Sequence, residues 1–218
     1  MGKVGRLVSV NVGRPRPVQM GKRTRVTGIF KEPQKGPVRV AGVTVGDDVQ
    51  VDKRHHGGAD KAVYAYALED YRWWEEQLER ELPPGTFGDN LTTEGLDVTG
   101  CLIGERWRIG DVVLEVTDPR IPCSTLRARM GIPGFVKTFA AARRFGAYMR
   151  IVAEGDVQPG DSIEVVERPS HGISIARMGG VYFDGDLGEA EAIYEALGHP
   201  ESRRAWVEDL RRGAGAAV

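Results

Sequence analysis

The chain has 218 residues, and 41% of them are hydrophobic, so it can bury a sizeable core as one large domain or as a domain with a small addition. Its 30 Lys and Arg residues are balanced by 31 Asp and Glu residues, and the net charge of −1 argues against general binding to nucleic acid or to anionic membranes. Residues 1–12 lack the apolar core of a signal peptide, and no run approaches the roughly 20 apolar residues of a membrane span. We therefore expect a soluble cytoplasmic protein.

Short strands separated by Gly, Pro and Asp turns are predicted for the first part of the chain. Alternating or β-branched apolar residues predict strands over residues 3–12, 24–30, 62–67 and 91–93. Residues 13–22 are rich in Gly, Pro and Arg and predict a loop, and valine-rich residues 38–51 predict a hairpin that turns at Gly46-Asp47-Asp48. Residues 69–81 predict a helix with Tyr71, Trp74 and Leu78 on one face.

The same pattern continues to residue 168 and then changes. At least two strands are predicted over 98–116 and two more over 147–153 and 161–166, with short helices over 124–130 and 134–145. Many short strands with few helices favour a β-barrel over a βαβ fold, so the expected class is mostly β with some α. Helical patterns over 174–178, 187–197 and 201–212 predict a barrel domain at 1–168 and a small helical appendage at 169–218.

Cys123 is the first candidate for chemistry. Pro122 restricts the backbone just before it, and Arg120 and the start of a short helix would both favour a thiolate. A thiolate is a good ligand for a soft or redox-active metal, and a small buried structural cysteine is the alternative. Cys101, the only other cysteine, has no basic neighbours and is predicted to be structural. A single disulfide between the two stays open, although reduced thiols are favoured in a cytosolic protein.

A basic, glycine-containing stretch at residues 53–61 is the second candidate. Gly57 and Gly58 allow backbone conformations in which N–H groups turn toward an anion. The charged side chains of this stretch could hold a phosphate, and the alternative is a solvated basic loop. Asn90 and Arg120 lie outside the stretch and are added as further candidates. We take the following as candidate ligand-binding residues: Arg54, His55, His56, Gly57, Gly58, Lys61, Asn90 and Arg120.

Several familiar chemistries have no motif in this sequence. It contains no Walker A loop, no dinucleotide-binding Gly fingerprint and no His-Glu-x-x-His motif. Cys123 lies in Pro-Cys-Ser-Thr-Leu, which lacks the second cysteine of the zinc deaminase pattern. Two cysteines cannot ligate an iron–sulfur cluster unaided.

Six segments together make the sequence resemble the MOSC domain, named for the C-terminal domain of molybdenum cofactor sulfurase. They are Gly46-Asp47, residues 55–64, residues 87–92, residues 109–111, residues 119–123 and Gly160-Asp161. The predicted C-terminal helices make the YiiM-like branch the most similar. That branch usually reads Phe-Gly-Glu-Asn where this chain has Phe87-Gly88-Asp89-Asn90, so the reach of the acid differs here.

The resemblance implies a barrel-like fold that binds a molybdenum–pyranopterin cofactor, with Cys123 as the protein ligand of the molybdenum. It also implies reduction of N-hydroxylated compounds, such as hydroxylaminopurines, to amines. Because the sequence has no flavin or iron–sulfur motif, the electrons would come from an external reductase.

Two other functions stay open at this point. One is a sulfur-carrier or cofactor-binding protein that holds a persulfide on Cys123 without turnover. The other is a zinc hydrolase using His55, His56 and Cys123, although their spacing matches no familiar zinc site. The sequence also leaves open whether the chain forms a homodimer.

Overall fold

The computed structural model describes residues 4–51, 57–198 and 201–212, and these contain thirteen strands and six α-helices. The strands are β1 (Val4–Gly13), β2 (Arg16–Met20), β3 (Arg23–Thr27), β4 (Lys31–Pro33), β5 (Val38–Ala41), β6 (Thr44–Val45), β7 (Val63–Ala67), β8 (Leu91–Glu94), β9 (Arg106–Ile109), β10 (Val112–Pro119), β11 (Ala147–Ala153), β12 (Gly155–Val157) and β13 (Ser162–Glu167). The helices are α1 (Leu68–Leu78), α2 (Ser124–Met130), α3 (Phe135–Ala142), α4 (Ile175–Asp184), α5 (Leu187–Ala196) and α6 (Glu201–Arg211).

Seven of these strands close into a barrel. Their order around the barrel is β13, β9, β10, β11, β7, β8 and β1, and β1 pairs back with β13. Neighbouring strands run antiparallel except β7 and β8, which are parallel with Ala65 opposite Leu91. Closure removes the unpaired edges that an open sheet of this size would present. The predicted fold class, a mostly β barrel with short helices, is confirmed.

The barrel interior follows from the alternation of apolar residues in the strands. In β10, Val112, Leu114 and Val116 point inward and are buried, while the residues between them are partly exposed. All five residues of β7 are buried, because α1 and other segments cover the strand outside the barrel. Burial of both faces explains the apolar and aromatic composition of this strand.

An aromatic cluster packs α1 and α3 onto the outside of the barrel. Trp74 of α1 stacks on Phe139 of α3, with ring centroids 5.7 Å apart and planes 5° apart. Tyr71 and Trp74 are fully buried and Leu78 is partly buried, which confirms the helix face predicted from the sequence.

The C-terminal helices lie against the barrel. Ile175 and Met178 of α4 are fully buried within the same hydrophobic cluster as the barrel core. Arg203 of α6 is nearly buried, and it donates to Asp118 Oδ1 at 2.7 Å and to the carbonyl oxygen of Thr117. The division of the chain at residue 168 stays a prediction.

Two sequence predictions about local structure were wrong. Residues 16–20 form a strand, β2, that pairs with β3 in a separate two-stranded ribbon. Proline is tolerated there because both strands of a two-stranded ribbon are edges. The hairpin at 38–51 turns at Gly42-Val43, where Gly42 has φ 60°, and its second strand ends at Val45. Within the described residues, no helix is long and apolar enough to cross a membrane.

Candidate functional site

A cavity of about 510 Å³ lies where the beginnings of β7, β8 and β11 meet the end of β10. Its walls come from β3 and the residues after it, from residues 48–51, and from the segments that precede β7 and β8. Arg120, Cys123 and Thr125, which follow β10, complete it together with Tyr148 of β11. The volume is in the range that suits a cofactor or a small ligand.

Cys123 lines this cavity and is partly exposed. It is the residue directly before α2, and its backbone is extended, with φ −139° and ψ 174°. Cys101, in contrast, is 1% exposed and donates from Sγ to the carbonyl oxygen of Val98 at 2.9 Å. Burial raises the pKa of the Cys101 thiol, and the two cysteines form no disulfide. The structure therefore separates a cavity cysteine from a structural one, as the sequence predicts.

Arg120 is a buried cation in the cavity wall, only 4% exposed. Its Nη1 atom is buried and has no hydrogen-bond partner among the described residues. Burial alone would lower the pKa of Arg120, but interactions with Cys123, Tyr64 and Tyr148 raise it above its usual value. An unsatisfied buried donor on a cation costs free energy. A ligand with a hydrogen-bond acceptor next to Arg120 Nη1 would remove that cost.

Two tyrosines that the sequence did not single out for function also line the cavity. The Tyr64 and Tyr148 rings lie 5.2 Å apart, and the Tyr64 hydroxyl donates to the carbonyl oxygen of Phe145 at 2.8 Å. Arg120 lies in the same cavity wall, and its positive charge opposes the rise in the pKa of Tyr148. Burial raises the pKa of Tyr148, so its phenol stays protonated at neutral pH. Only the pairing of β11 with β7, which sets Tyr148 opposite Tyr64, places this ring at the site.

Lys31 and Asp48 form a buried ion pair in the cavity wall. The distance between Nζ and Oδ2 is 2.6 Å, and the two side chains are 10% and 6% exposed. Asp48 also accepts from the backbone N–H of Gly13 at 2.8 Å and from Asn90 Nδ2 at 2.9 Å. Burial lowers the pKa of Lys31, although Asp48 opposes the shift. From the sequence, Asp48 is predicted only as part of a turn, and Lys31 belongs to no recognisable motif.

The predicted ligand residue Asn90 lines the cavity, but protein groups engage its amide. Asn90 Oδ1 accepts from the backbone N–H of Tyr64 at 3.1 Å, and Nδ2 donates to Asp48 and to the carbonyl oxygen of Asn11. Its side chain thus ties the start of β8 to β1 and β7. Contact with a ligand remains a prediction for this residue.

Asp89 lies behind the cavity wall and is fully buried. Its carboxylate accepts from Tyr71 at 2.6 Å, from Thr92 at 2.6 Å and from Asn11 at 3.3 Å. Burial raises the pKa of Asp89, and the hydrogen bonds from Thr92 and Tyr71 partly offset that rise. Asp89, which stands where YiiM-like sequences usually have Glu, therefore supports the cavity wall through hydrogen bonds and does not line the cavity.

The predicted anion-binding loop lies partly outside the described residues, because Arg54, His55 and His56 fall in the segment 52–56. On either side of that segment, the chain lies at the cavity. Val51 and Lys61 line it, and Gln50 accepts from the backbone N–H of Gly58 at 2.9 Å and donates to the carbonyl oxygen of Lys61 at 3.1 Å. Gly57 and Gly58 are described, but neither of them lines the cavity.

The charges that line the cavity are mostly positive. Among the described residues that line it, four are cations, Arg25, Lys31, Lys61 and Arg120, and one is an acid, Asp48. A cavity with this excess of positive charge and low-dielectric walls favours an anionic ligand. Among the described residues, no group of three His, Cys, Asp or Glu side chains is arranged to hold a metal ion. The chemistry that the wall supplies is therefore one thiol, several cations and two phenols.

Comparison with known proteins agrees with this fold and identifies the family. The sequence profile of the MOSC domain matches residues 52–164, which contain all of the candidate ligand-binding residues. The protein named "Uncharacterized protein YflK" from Bacillus subtilis is 37% identical over 169 residues, which cover 78% of this chain and 76% of that protein. A protein named "Reductase" from Gibberella moniliformis is 33% identical over 171 residues, but the match spans only 30% of its length.

The solved structures include a similar protein that matches almost end to end. The crystal structure of YiiM from Geobacillus stearothermophilus has a TM-score of 0.76 and 30% sequence identity, and the match covers 94% of this chain and 98% of that one. MOSC domains are associated with binding of the molybdenum cofactor. On this profile match and these relatives, the chain belongs to the MOSC domain family, in its YiiM-like branch.

Proposed function

We propose that this protein is a molybdenum-cofactor-dependent reductase of N-hydroxylated compounds, with Cys123 as the protein ligand of the molybdenum. The observation that carries the proposal is the meeting of Cys123 and Arg120 in one electropositive cavity of a MOSC domain. A soft sulfur ligand and buried cations are the two requirements of a metal held by a phosphate-bearing organic group.

The residues present fit that cofactor. Arg120 has a buried Nη1 atom without a protein acceptor, and a phosphate or pterin oxygen would supply one. Lys61 and Lys31 add positive charge in the same wall. Arg54, His55, His56 and Gly58, which come shortly before Lys61 in the sequence, are proposed to complete the phosphate cradle. The aromatic rings of Tyr64 and Tyr148 offer flat surfaces for a ring system.

When bound, the cofactor would supply the two-electron redox change that the reaction needs. The overall conversion of an N–OH group to an N–H group consumes two electrons and two protons and releases one water molecule. The chain's own residues would bind and orient the substrate and exclude bulk water. Tyr148 holds a proton on its hydroxyl oxygen at neutral pH, beside Arg120, and could donate a hydrogen bond to a substrate oxygen.

The test of this proposal uses the full chain, expressed in a host that makes the molybdenum cofactor. Freshly purified protein is expected to contain molybdenum and pterin and to convert 6-hydroxylaminopurine to adenine when dithionite supplies electrons. Metal analysis and chromatography of the purine products measure both. Absence of molybdenum would refute the proposal, and a labile adduct of about 32 Da on Cys123 without turnover would favour the sulfur-carrier function instead.

Replacing Arg120 with methionine should separate cofactor binding from folding. We expect the cofactor content after purification to fall about tenfold or more, because a charged hydrogen bond of about 1.5–3 kcal/mol is lost. The free energy of unfolding of the cofactor-free protein should change little or rise, because a buried cation with an unsatisfied donor is removed. Molybdenum analysis and urea denaturation measure the two quantities.

Arg129 provides the matched control for this substitution. Its Nε atom is also buried without a partner among the described residues, but the side chain does not line the cavity. Arg129→Met should retain the wild-type cofactor content. Full cofactor retention by Arg120→Met would show that Arg120 does not hold the cofactor.

A further inference from the structure

Positive charge is concentrated at the N-terminal end of this nearly neutral chain. Residues 1–31 contain eight Lys and Arg residues and no Asp or Glu. The net charge of −1 for the whole chain therefore combines a basic segment of formal charge +8 with an acidic remainder. This uneven distribution of charge creates a positive electrostatic potential around the basic segment, which the net charge of the chain does not indicate.

Most of these positively charged residues lie on or next to the ribbon formed by β2 and β3, where they are exposed to solvent. It pairs with no other strand, and Lys22 and Arg23 lie exposed at its turn. Five cations on and next to the ribbon form no ion pair with any described residue: Arg14, Arg16, Lys22, Arg23 and Arg25. Elsewhere many arginines are paired with acids, including Arg72, Arg106, Arg143, Arg150, Arg168 and Arg177. The ribbon is thus an exposed surface whose positive charges are not neutralised by any described acid.

The ribbon also forms one wall of the cavity that contains Cys123. Met20, Arg25 and Val26 line that cavity, and Val26 is 55% exposed. Helix α2, which begins directly after Cys123, packs against β2. A protein seated on the ribbon would be separated from the cavity by about one sheet layer, roughly 10 Å.

We propose that the β2–β3 ribbon is the docking surface for an acidic electron-carrier protein, such as a flavodoxin, that reduces the site beside it. This inference rests on the proposed reductase function, which needs an external donor. Two reduced flavodoxin molecules would each be oxidised by one electron, and together with two protons they would convert one N–OH group to N–H and water. Electron-transfer complexes are small and short-lived, and charge complementarity gives them fast association.

A nucleic acid is the other polyanion that a basic ribbon could attract, and the ribbon fits it less well. Residues 14–27 contain no aromatic side chain, so the ribbon offers no surface on which bases could stack. The rest of the chain is acidic and would repel a long polyanion that extends past the ribbon. A compact acidic protein can avoid that repulsion.

The test compares charge-reversed variants of the full chain in binding to a purified, negatively charged flavodoxin. In the variant K22E/R23E, the two exposed turn residues are reversed without touching the cavity lining. The matched control is R108E/K137E, whose residues are exposed on β9 and α3, form no ion pair with any described residue and do not line the cavity. Surface plasmon resonance on cofactor-free protein gives association rates at several salt concentrations, and circular dichroism checks the fold.

Association of the wild type should slow as salt is added, because screening shortens the reach of the charges. K22E/R23E should associate at least about tenfold more slowly at low salt, and the control should stay within about twofold of the wild type. In loaded protein, K22E/R23E should reduce substrate normally with dithionite and slowly with flavodoxin. Equal flavodoxin binding by K22E/R23E and the wild type would overturn the proposal, as would a ribbon-dependent complex with a short single-stranded oligonucleotide in place of flavodoxin.

This design keeps the docking surface and the reductase function separable. Flavodoxin binding that depends on the ribbon would support docking even if the loaded protein failed to reduce N–OH compounds, and that failure would refute only the reductase. Normal reduction with dithionite, together with flavodoxin binding that ignores the ribbon charges, would refute only the docking surface.

Discussion

Cys123→Ala is expected to abolish molybdenum retention and N–OH reduction while the protein still folds. Loss of groups that only support a metal ligand usually costs 10–100-fold in affinity or activity, so loss of the ligand itself should cost more than about 100-fold. Cys123 is partly exposed at the cavity, so its truncation leaves no void in the barrel core. Metal analysis, the 6-hydroxylaminopurine assay and thermal unfolding measure the three outcomes.

Cys101→Ala is the control that removes the other sulfur. Cys101 is buried and hydrogen-bonded to Val98, so this variant should lose about 1 kcal/mol of stability and keep its molybdenum. Full activity in Cys123→Ala would end the proposal that this sulfur binds the metal. Equal metal loss in both variants would mean that the effect is not specific to the cavity cysteine.

Asp48→Ala should reduce the free energy of unfolding by about 3–5 kcal/mol, the usual cost of stranding one member of a buried ion pair. The substitution leaves Lys31 without its counter-ion and removes the acceptor of Gly13 N and Asn90 Nδ2. Urea denaturation followed by tryptophan fluorescence measures the change. A loss of this size would mean that the pair holds the cavity wall together.

The double variant Lys31→Met/Asp48→Ala tests whether the stranded charge causes that loss. It should recover much of the lost stability, because an apolar side chain replaces the buried cation. Glu154→Ala, which breaks the exposed pair with Arg39, should cost about 1 kcal/mol or less. If Asp48→Ala and Glu154→Ala proved equally mild, the buried pair would not be a major support of the wall.

The local motifs of the sequence single out two residues that the structure places in one cavity. Cys123 and Arg120 stand three residues apart on one segment after β10, so any fold that exposes one to the cavity brings the other near it. The contrast between Cys123 and Cys101 was likewise predictable, because only Cys123 has a basic neighbour and a proline before it. Such features are encoded within a few residues.

Other parts of the site depend on residues that are far apart in the chain. Lys31 and Asp48 are separated by 17 positions, and neither belongs to a recognisable motif. Asn90 is predicted to bind a ligand, but its amide ties together three segments, with partners 26, 42 and 79 positions away. Hydrogen-bond partners at such separations are set by strand register, which short patterns do not reveal.

The composition of residues 13–22 led to the wrong prediction of a loop where strand β2 forms. Residues 13–22 contain the Gly, Pro and Arg residues of a loop, and only their pairing with residues 23–27 turns part of them into a strand. The structure places this ribbon, and therefore its positive charges, beside the cavity. The balanced overall charge of the chain does not indicate such a local concentration.

From the sequence alone, the seven barrel strands, the barrel class and the family followed, because two-residue periodicity and short motifs are local properties. The tertiary structure alone decided which cations share one cavity with Cys123, that Tyr148 faces Arg120, and that Asp89 stays outside the cavity. The physical reason is strand pairing between segments far apart in the chain: it places β10, β11, β7 and β8 side by side in the sheet, and the register of those strands decides which side chains meet at the cavity.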